Sequence, residues 1–343
     1  MKEPITIGAI RWDAWYGHSD DENDVCHQVE NTLSQPKYHW RAPFFARINE
    51  DGDIRFSPLT QEIFDTEMRY AKNAGIGYFA YVWYEGGLGL AHKFHTTSAL
   101  RRDVPLCACL DNNAIGREYA RKELEALFKT DYYKTVLGGR PLMYYFGRND
   151  EALKKRIADD IAFYRDLCAR LGIPAPYAVI MGVGPEFVEA VGGDALSRYA
   201  IGARDGQSYA SLDAAAKEIW ERHSHLGPDN VLPLTAGWHP QPRHERPVKW
   251  MPVSADSYAA YATAEEIGQH VADAISFLND PAHDACSPAK TAILYAWNEH
   301  DEGGWICPTI AVDENGRQLY NADGTKKIDD SRLRAVKKAI QGK

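Results

Sequence analysis

The side chains best suited to chemistry stand together near the end of the chain, in Trp297-Asn298-Glu299-His300-Asp301-Glu302-Gly303-Gly304-Trp305. Glu299 and Glu302 are three residues apart, so a tight turn can aim both carboxyls into one cleft. Carboxyls placed in this way can give a proton to a leaving oxygen and take one from an attacking hydroxyl, as glycosidic-bond cleavage requires. A solvated acidic loop is the competing reading. Trp297 and Trp305 bracket the acids and weigh against it, because a loop in water has little use for two indoles.

Something must hold the pair, and the preceding residues supply it. Ala292-Ile293-Leu294-Tyr295-Ala296-Trp297 is a short, aromatic, apolar run of the kind that forms a buried strand. A buried strand with carboxylates at its C-terminal end is how a parallel α/β barrel presents catalytic groups. The rest of the chain repeats the unit. Apolar runs at 5–12, 76–84, 104–110, 141–146, 177–181, 200–203 and 231–236 read as seven further strands. Helical patterns at 60–73, 117–129, 151–171, 185–191, 212–223, 264–278 and 330–340 alternate with them. With no linker or change of composition, residues 1–343 read as one (β/α)8 TIM barrel with long βα loops. Asn49-Glu50-Asp51-Gly52-Asp53 has the composition of a hairpin turn, and the Asp-Gly turns at 313–316 and 321–324 predict a small hairpin after strand eight.

In such a barrel every strand ends at one rim. There the first strand delivers Asp13, Trp15 and Tyr16, the second Trp83, Tyr84 and Glu85, and the third Asp111, Asn112 and Asn113. The seventh brings Trp238, His239 and Arg243; the eighth brings Asn298, Glu299, Glu302 and Trp305. Acids for a glycosidic oxygen, amides for hydroxyls and rings for stacking together make a carbohydrate site. Taken singly, Trp15 and Trp83 also suit a core and Asp111 suits a helix cap. The bias of the whole set carries the inference.

Composition narrows the rest. Of 343 residues, 45% are hydrophobic and 25% charged, the balance of a globular protein, while 9 Trp and 19 Tyr exceed what a core demands. A net charge of −9 argues against nucleic acid and anionic membrane as partners, since phosphate contacts need clustered Lys and Arg. No run approaches the ~20 apolar residues of a membrane span. The six cysteines form no CxxC pair and read as buried thiols. No phosphate-binding or dinucleotide glycine motif follows a strand, and His92 and His95, placed in a loop, lack a third ligand at zinc spacing. No metal and no cofactor is expected. Met1-Lys2-Glu3-Pro4 enters a strand directly without a signal peptide, which reads as cytoplasmic, or as periplasmic or secreted if a leader has been removed.

Three segments also carry a family likeness. Trp297-Asn298-Glu299-His300-Asp301-Glu302-Gly303 resembles the WNEWxEG signature of family 99 glycoside hydrolases and the related WbsX-like domains. Ala236-Gly237-Trp238-His239-Pro240-Gln241-Pro242-Arg243 resembles that group's GWDxxPR segment, and Tyr70-Ala71-Lys72-Asn73-Ala74-Gly75-Ile76-Gly77-Tyr78-Phe79 its AkkyGIdGF stretch. The resemblance implies a (β/α)8 barrel that hydrolyses an oligosaccharide or polysaccharide with retention and without a metal. It also implies that Glu299 assists the substrate 2-hydroxyl and Glu302 is the general acid and base. His300-Asp301 and His239 depart from the family pattern and imply a different substrate. Two alternatives stay open: a glycosyltransferase, because WbsX-like members carry that label, and a non-catalytic glycan-binding barrel.

Overall fold

The computed structural model describes residues 3–13, 15, 21, 24–56, 59–84 and 90–342. Parallel strands close into a barrel: β1 (Thr6–Arg11), β2 (Tyr78–Trp83), β3 (Leu106–Leu110), β4 (Arg140–Phe146), β5 (Tyr177–Met181), β6 (Ala195–Ser197), β7 and β8 (Thr291–Tyr295). Strand β7 comes in two pieces on either side of Val231. Asp229–Asn230 pairs with β6 and Leu232–Thr235 pairs with β8, while the Val231 N–H donates to Leu196 O at 3.0 Å. Strand β1 then pairs with both β8 and β2, so the ring is complete.

Helices α1 (Gln61–Ala74), α2 (Leu90–Thr97), α3 (Glu118–Leu127), α4 (Glu151–Leu171), α5 (Pro185–Val191), α6 (Tyr209–His223), α7 (Ala264–Asn279) and α8 (Ser331–Gln341) follow the strands in turn. Their ends are written locally. Thr60 caps α1 by accepting from Ile63 N–H, Asp150 caps α4 through Leu153 N–H, and Thr263 with Glu266 forms a full capping box on α7. Burial on both faces explains why β2, β3, β5 and β8 are apolar throughout rather than alternating. Inside the barrel, the Tyr78 ring lies over Gly8, where any side chain would overlap it, and its hydroxyl meets Tyr144 at 2.7 Å and Thr291 at 3.0 Å. That layer closes the barrel below the rim, so the usable opening is at the C-terminal ends of the strands.

Most elements lie where the sequence placed them, and both expected hairpins form, with Arg47–Ile48 pairing Ile54–Arg55 and Thr309–Ile310 pairing Ile328–Asp329. The sixth strand differs. It spans Ala195–Ser197, not 200–203, because α5 stops at Gly192 and Asp194 then pins the chain by accepting from Ala178 N–H and Arg140. Ile201 and Ala203 are buried beyond the strand end without pairing. His92 and His95 lie on a helix, α2, rather than in a loop. The cysteines are free thiols, five of them buried. Among the described residues no helix is long and apolar enough to cross a membrane.

Candidate active site

Beyond β8 the chain makes a tight hairpin in which Asn298–Glu299 pairs with Gly304–Trp305. The double glycine serves close packing and not the flexibility its sequence suggests. Gly303 has φ +90°, and a Cβ there would strike the His239 backbone; a Cβ on Gly304 would strike the Tyr295 ring. Within the hairpin Asn298 turns to β1, where its side chain both accepts from Trp12 N–H (2.9 Å) and donates to Trp12 O. Its amide therefore locks the rim and has little left for a ligand.

The same turn brings three acids to one guanidinium. Arg243, 1% exposed and carried by the short helix Gln241–Glu245, donates to both oxygens of Asp301 (2.6 and 3.0 Å) and to Glu302 Oε1, with Glu299 Oε2 at 3.8 Å. Burial opposes the Arg243 charge, but Asp301 and Glu302 overcome it and raise its pKa above the ordinary value. Glu302 Oε2 accepts from the Tyr295 hydroxyl. Glu299 Oε1 accepts from Tyr199 at 2.6 Å, whereas its Oε2 is buried with no hydrogen-bond partner. Burial, then the charge of Glu302, pushes the Glu299 carboxyl well above the ordinary glutamate value, against the pull of Arg243. Glu299 thus holds a proton where an exposed glutamate would have lost it. The other buried arginines nearby do not neutralise the cluster directly: Arg41 donates to His300 O and His239 O, and Arg332 to carbonyls of Ala236, Ala262 and Trp305.

Of the residues expected at the rim, Glu299, Glu302, Arg243 and Tyr84 converge. Tyr84 is half-buried, and burial together with Glu299 and Glu302 drives its hydroxyl pKa well upward, as proximity to the acids demands. Trp238 is half-buried with its N–H on Ser257 (3.2 Å) and its ring 6.1 Å from that of Tyr295. Three expected stacking rings are core instead. Trp15 (1% exposed) packs on Phe45, Phe56 and His300. Trp83 (0%) gives its N–H to Glu123 at 2.7 Å, and Trp305 (2%) is sandwiched between His300 and Arg332. Rings enclosed on all sides offer no face to a sugar.

Asp13 caps α2 by accepting from Ala91 N–H (3.1 Å), and burial lifts its pKa to about 7. Asp111 accepts from Asn113 N–H at 2.6 Å and so closes the turn after β3 and does not cap the helix, whose N-cap is Arg117; Asn112 beside it has a buried, unpartnered Oδ1. His239 stacks on Tyr261, away from the carboxyls. Tyr16 and Glu85 lie outside the described residues. Among the described residues no cluster of His, Cys, Asp or Glu is arranged to hold a metal ion.

Tyr199, Tyr295, Asp301, Trp12 and Trp250 complete the site without having been singled out as ligand-binding. The Arg243 guanidinium lies 5.0 Å from the Trp12 ring centre and 5.5 Å from that of Trp250. Tyr199 had a readable signal: it lies two residues past β6, and an expected sixth strand at 200–203 concealed it. Trp250 had none, since it sits within a long loop whose path only the fold decides.

The fold has solved counterparts. The GH99 endo-alpha-mannosidase from Bacteroides thetaiotaomicron in complex with Bis-Tris propane aligns with a TM-score of 0.57 at 14% identity, over 99% of this chain and 97% of that one. A second structure of that enzyme gives 0.56 at 13% identity, over 99% and 98%. A glycoside hydrolase-like protein gives 0.59 at 12% identity, over 98% and 94%. No family model and no curated protein matches the sequence significantly. At such low identity the shared property is the barrel.

Proposed function

We propose that this chain is a glycoside hydrolase acting on an oligosaccharide or polysaccharide, with Glu299 and Glu302 as its working pair. The observation that carries the reading is the buried pair itself: two carboxyls from one turn, bridged by Arg243, with Glu299 Oε2 still without a hydrogen bond. A sugar 2-hydroxyl donating to Glu299 Oε2 favours the ionised form of that carboxyl, and the reaction starts with the proton on Glu302.

Glu302 then protonates the glycosidic oxygen as its bond to the anomeric carbon breaks. Glu299 takes the 2-hydroxyl proton, and the freed 2-oxygen closes on the anomeric carbon to give a 1,2-anhydro sugar. Water, losing a proton to Glu302, opens that ring, and Glu299 returns its proton to the 2-oxygen with net retention. Both acids leave the same hairpin, so they approach the sugar from neighbouring directions, which suits this route better than attack by one carboxylate on the opposite face. The route needs a 2-hydroxyl trans to the leaving group. An α-mannosidic linkage, the class named for the B. thetaiotaomicron enzyme, satisfies that requirement.

A glycosyltransferase would have to hold a nucleotide diphosphate beside three carboxylates, and their charge opposes it. Incubation with α-mannans and with plant, algal and microbial polysaccharides tests the reading, with products followed by mass spectrometry and the first-formed anomer by proton NMR. Release of oligosaccharides with retained configuration is expected. Tight binding of intact glycan that is indifferent to Glu302→Gln, with no turnover, would establish a binding barrel instead. A shift on adding nucleotide sugars, without hydrolysis, would establish a transferase. Trapping of a 2-fluoroglycosyl ester on Glu299 would replace the anhydro-sugar route with direct nucleophilic attack.

A further inference from the structure

Beside the acid cluster a cleft of about 460 Å³ is lined by Lys37, Tyr38, His239, Gln241, Tyr258 and Tyr261. The short helix Gln241–Glu245 divides the two: Arg243 points to the carboxyls, while Gln241 and Glu245 line the cleft. Tyr261 is 39% exposed, one of few large hydrophobic side chains so open among the described residues. The His239 ring stacks on Tyr261 at 4.1 Å and meets Tyr258 edge-on at 5.3 Å.

The polar groups narrow the ligand. Glu245 is matched by Lys37 (2.7 Å) and by the Tyr38 hydroxyl (2.9 Å), so the lining offers no spare cation for a phosphate. Gln241 donates to Ala255 O at 2.7 Å and keeps its own carbonyl oxygen for a donor. His239 Nδ1 is buried with no hydrogen-bond partner, and burial keeps the imidazole neutral, its pKa lowered to about 4. The part of the Tyr261 ring left open by His239, Arg41 and Trp40, beside neutral donors and acceptors, suits an uncharged ligand rich in hydroxyls.

The cleft is also joined to the acids. His239 N–H donates to the main-chain oxygen of Glu302 at 2.6 Å, and Arg41 ties His239 O (3.1 Å) to His300 O. One wall of the cleft is therefore packed against the turn that carries Glu302. We infer that this cleft binds a further sugar unit of the glycan, beyond the linkage at the carboxyl pair. The inference rests on the reading of that pair as glycosidic. Affinity should accordingly grow with glycan length, and Tyr261 should supply much of the gain by stacking.

Titration calorimetry with α-manno-oligosaccharides of two to six units, in a Glu302→Gln background that leaves them intact, tests the inference. The longest ligands should bind about tenfold more tightly than the shortest, within what one stacked ring contributes. Tyr261→Ala should flatten that dependence. Gln241→Ala, with a melting curve for each variant, provides a second lesion should the loss of Tyr261 loosen the fold. Unchanged length dependence in both folded variants, or none in the parent, overturns the inference. Turnover by the unsubstituted chain keeps the two readings apart. Hydrolysis without length-dependent binding removes the cleft alone, whereas length-dependent binding without hydrolysis removes the hydrolase reading and leaves the cleft.

Discussion

Two buried arginines end in opposite situations. Arg11, at the end of β1, meets Glu67 of α1 through two hydrogen bonds (3.1 and 3.0 Å), with both side chains at 0% exposure. Trp297 N–H adds a third bond to Glu67 at 3.0 Å, and Phe64 and Phe79 lie 5.1 and 5.3 Å from the guanidinium. There the guanidinium grips a single glutamate through both of its oxygens. Arg243 instead faces Asp301, Glu302 and Glu299 together. The first contact ties β1 to α1, while a cluster of three acids on one guanidinium favours keeping a proton on Glu299. Burial alone does not separate a rivet from a reactive group.

Breaking each cluster should produce different losses. The largest effect is expected from Glu302→Gln or Glu299→Gln, either of which should lower turnover by roughly 10²–10⁴-fold, as steady-state rates on a released oligosaccharide would show. Arg11→Met should instead cost about 3–5 kcal/mol of stability by stranding Glu67, read by urea unfolding, with the activity of the folded fraction unchanged. Next comes Trp238→Ala, which should weaken glycan binding by about 1–3 kcal/mol with little change in melting. Trp83→Ala serves as its contrast, because truncating that core ring should cost about 3–5 kcal/mol of stability.

The smallest effect concerns pH. Folding raises the proton affinity of Glu299, so above the ordinary value of 4.5 the unfolded chain releases a proton that the folded chain keeps, and stability falls as pH rises. Glutamine has no proton to lose. Glu299→Gln should therefore melt roughly a few degrees above the parent at neutral pH, and the difference should close as pH falls below 4.5. A paired set of melting curves across that range would check it.

The barrel was legible because its strands are apolar runs buried on both faces, alternating along the chain with helical patterns. The acidic turn was legible because carboxylates directly after an apolar strand have no role in a core. What stayed hidden depends on position in space. A strand of three residues, Ala195–Ser197, carries too little pattern to be fixed by its own sequence, and Tyr199 was lost with it. Indole orientation is likewise decided by neighbours from distant segments. Trp83 and Trp238 look alike as strand-end tryptophans, yet Glu123 of α3 receives one and Ser257 of a loop receives the other. Trp250 reaches Arg243 only through the course of a loop.

The role of the carboxyl pair can be tested by leaving-group dependence. Glu299→Gln and Glu302→Gln would each be assayed on a natural oligosaccharide and on a nitrophenyl glycoside of the same sugar, whose leaving group departs without protonation. The account predicts that the nitrophenyl substrate largely restores Glu302→Gln, which has lost only the proton donor. It should not restore Glu299→Gln, where the 2-hydroxyl has lost its base. Equal losses on both substrates for Glu302→Gln, or rescue of Glu299→Gln instead, would contradict it.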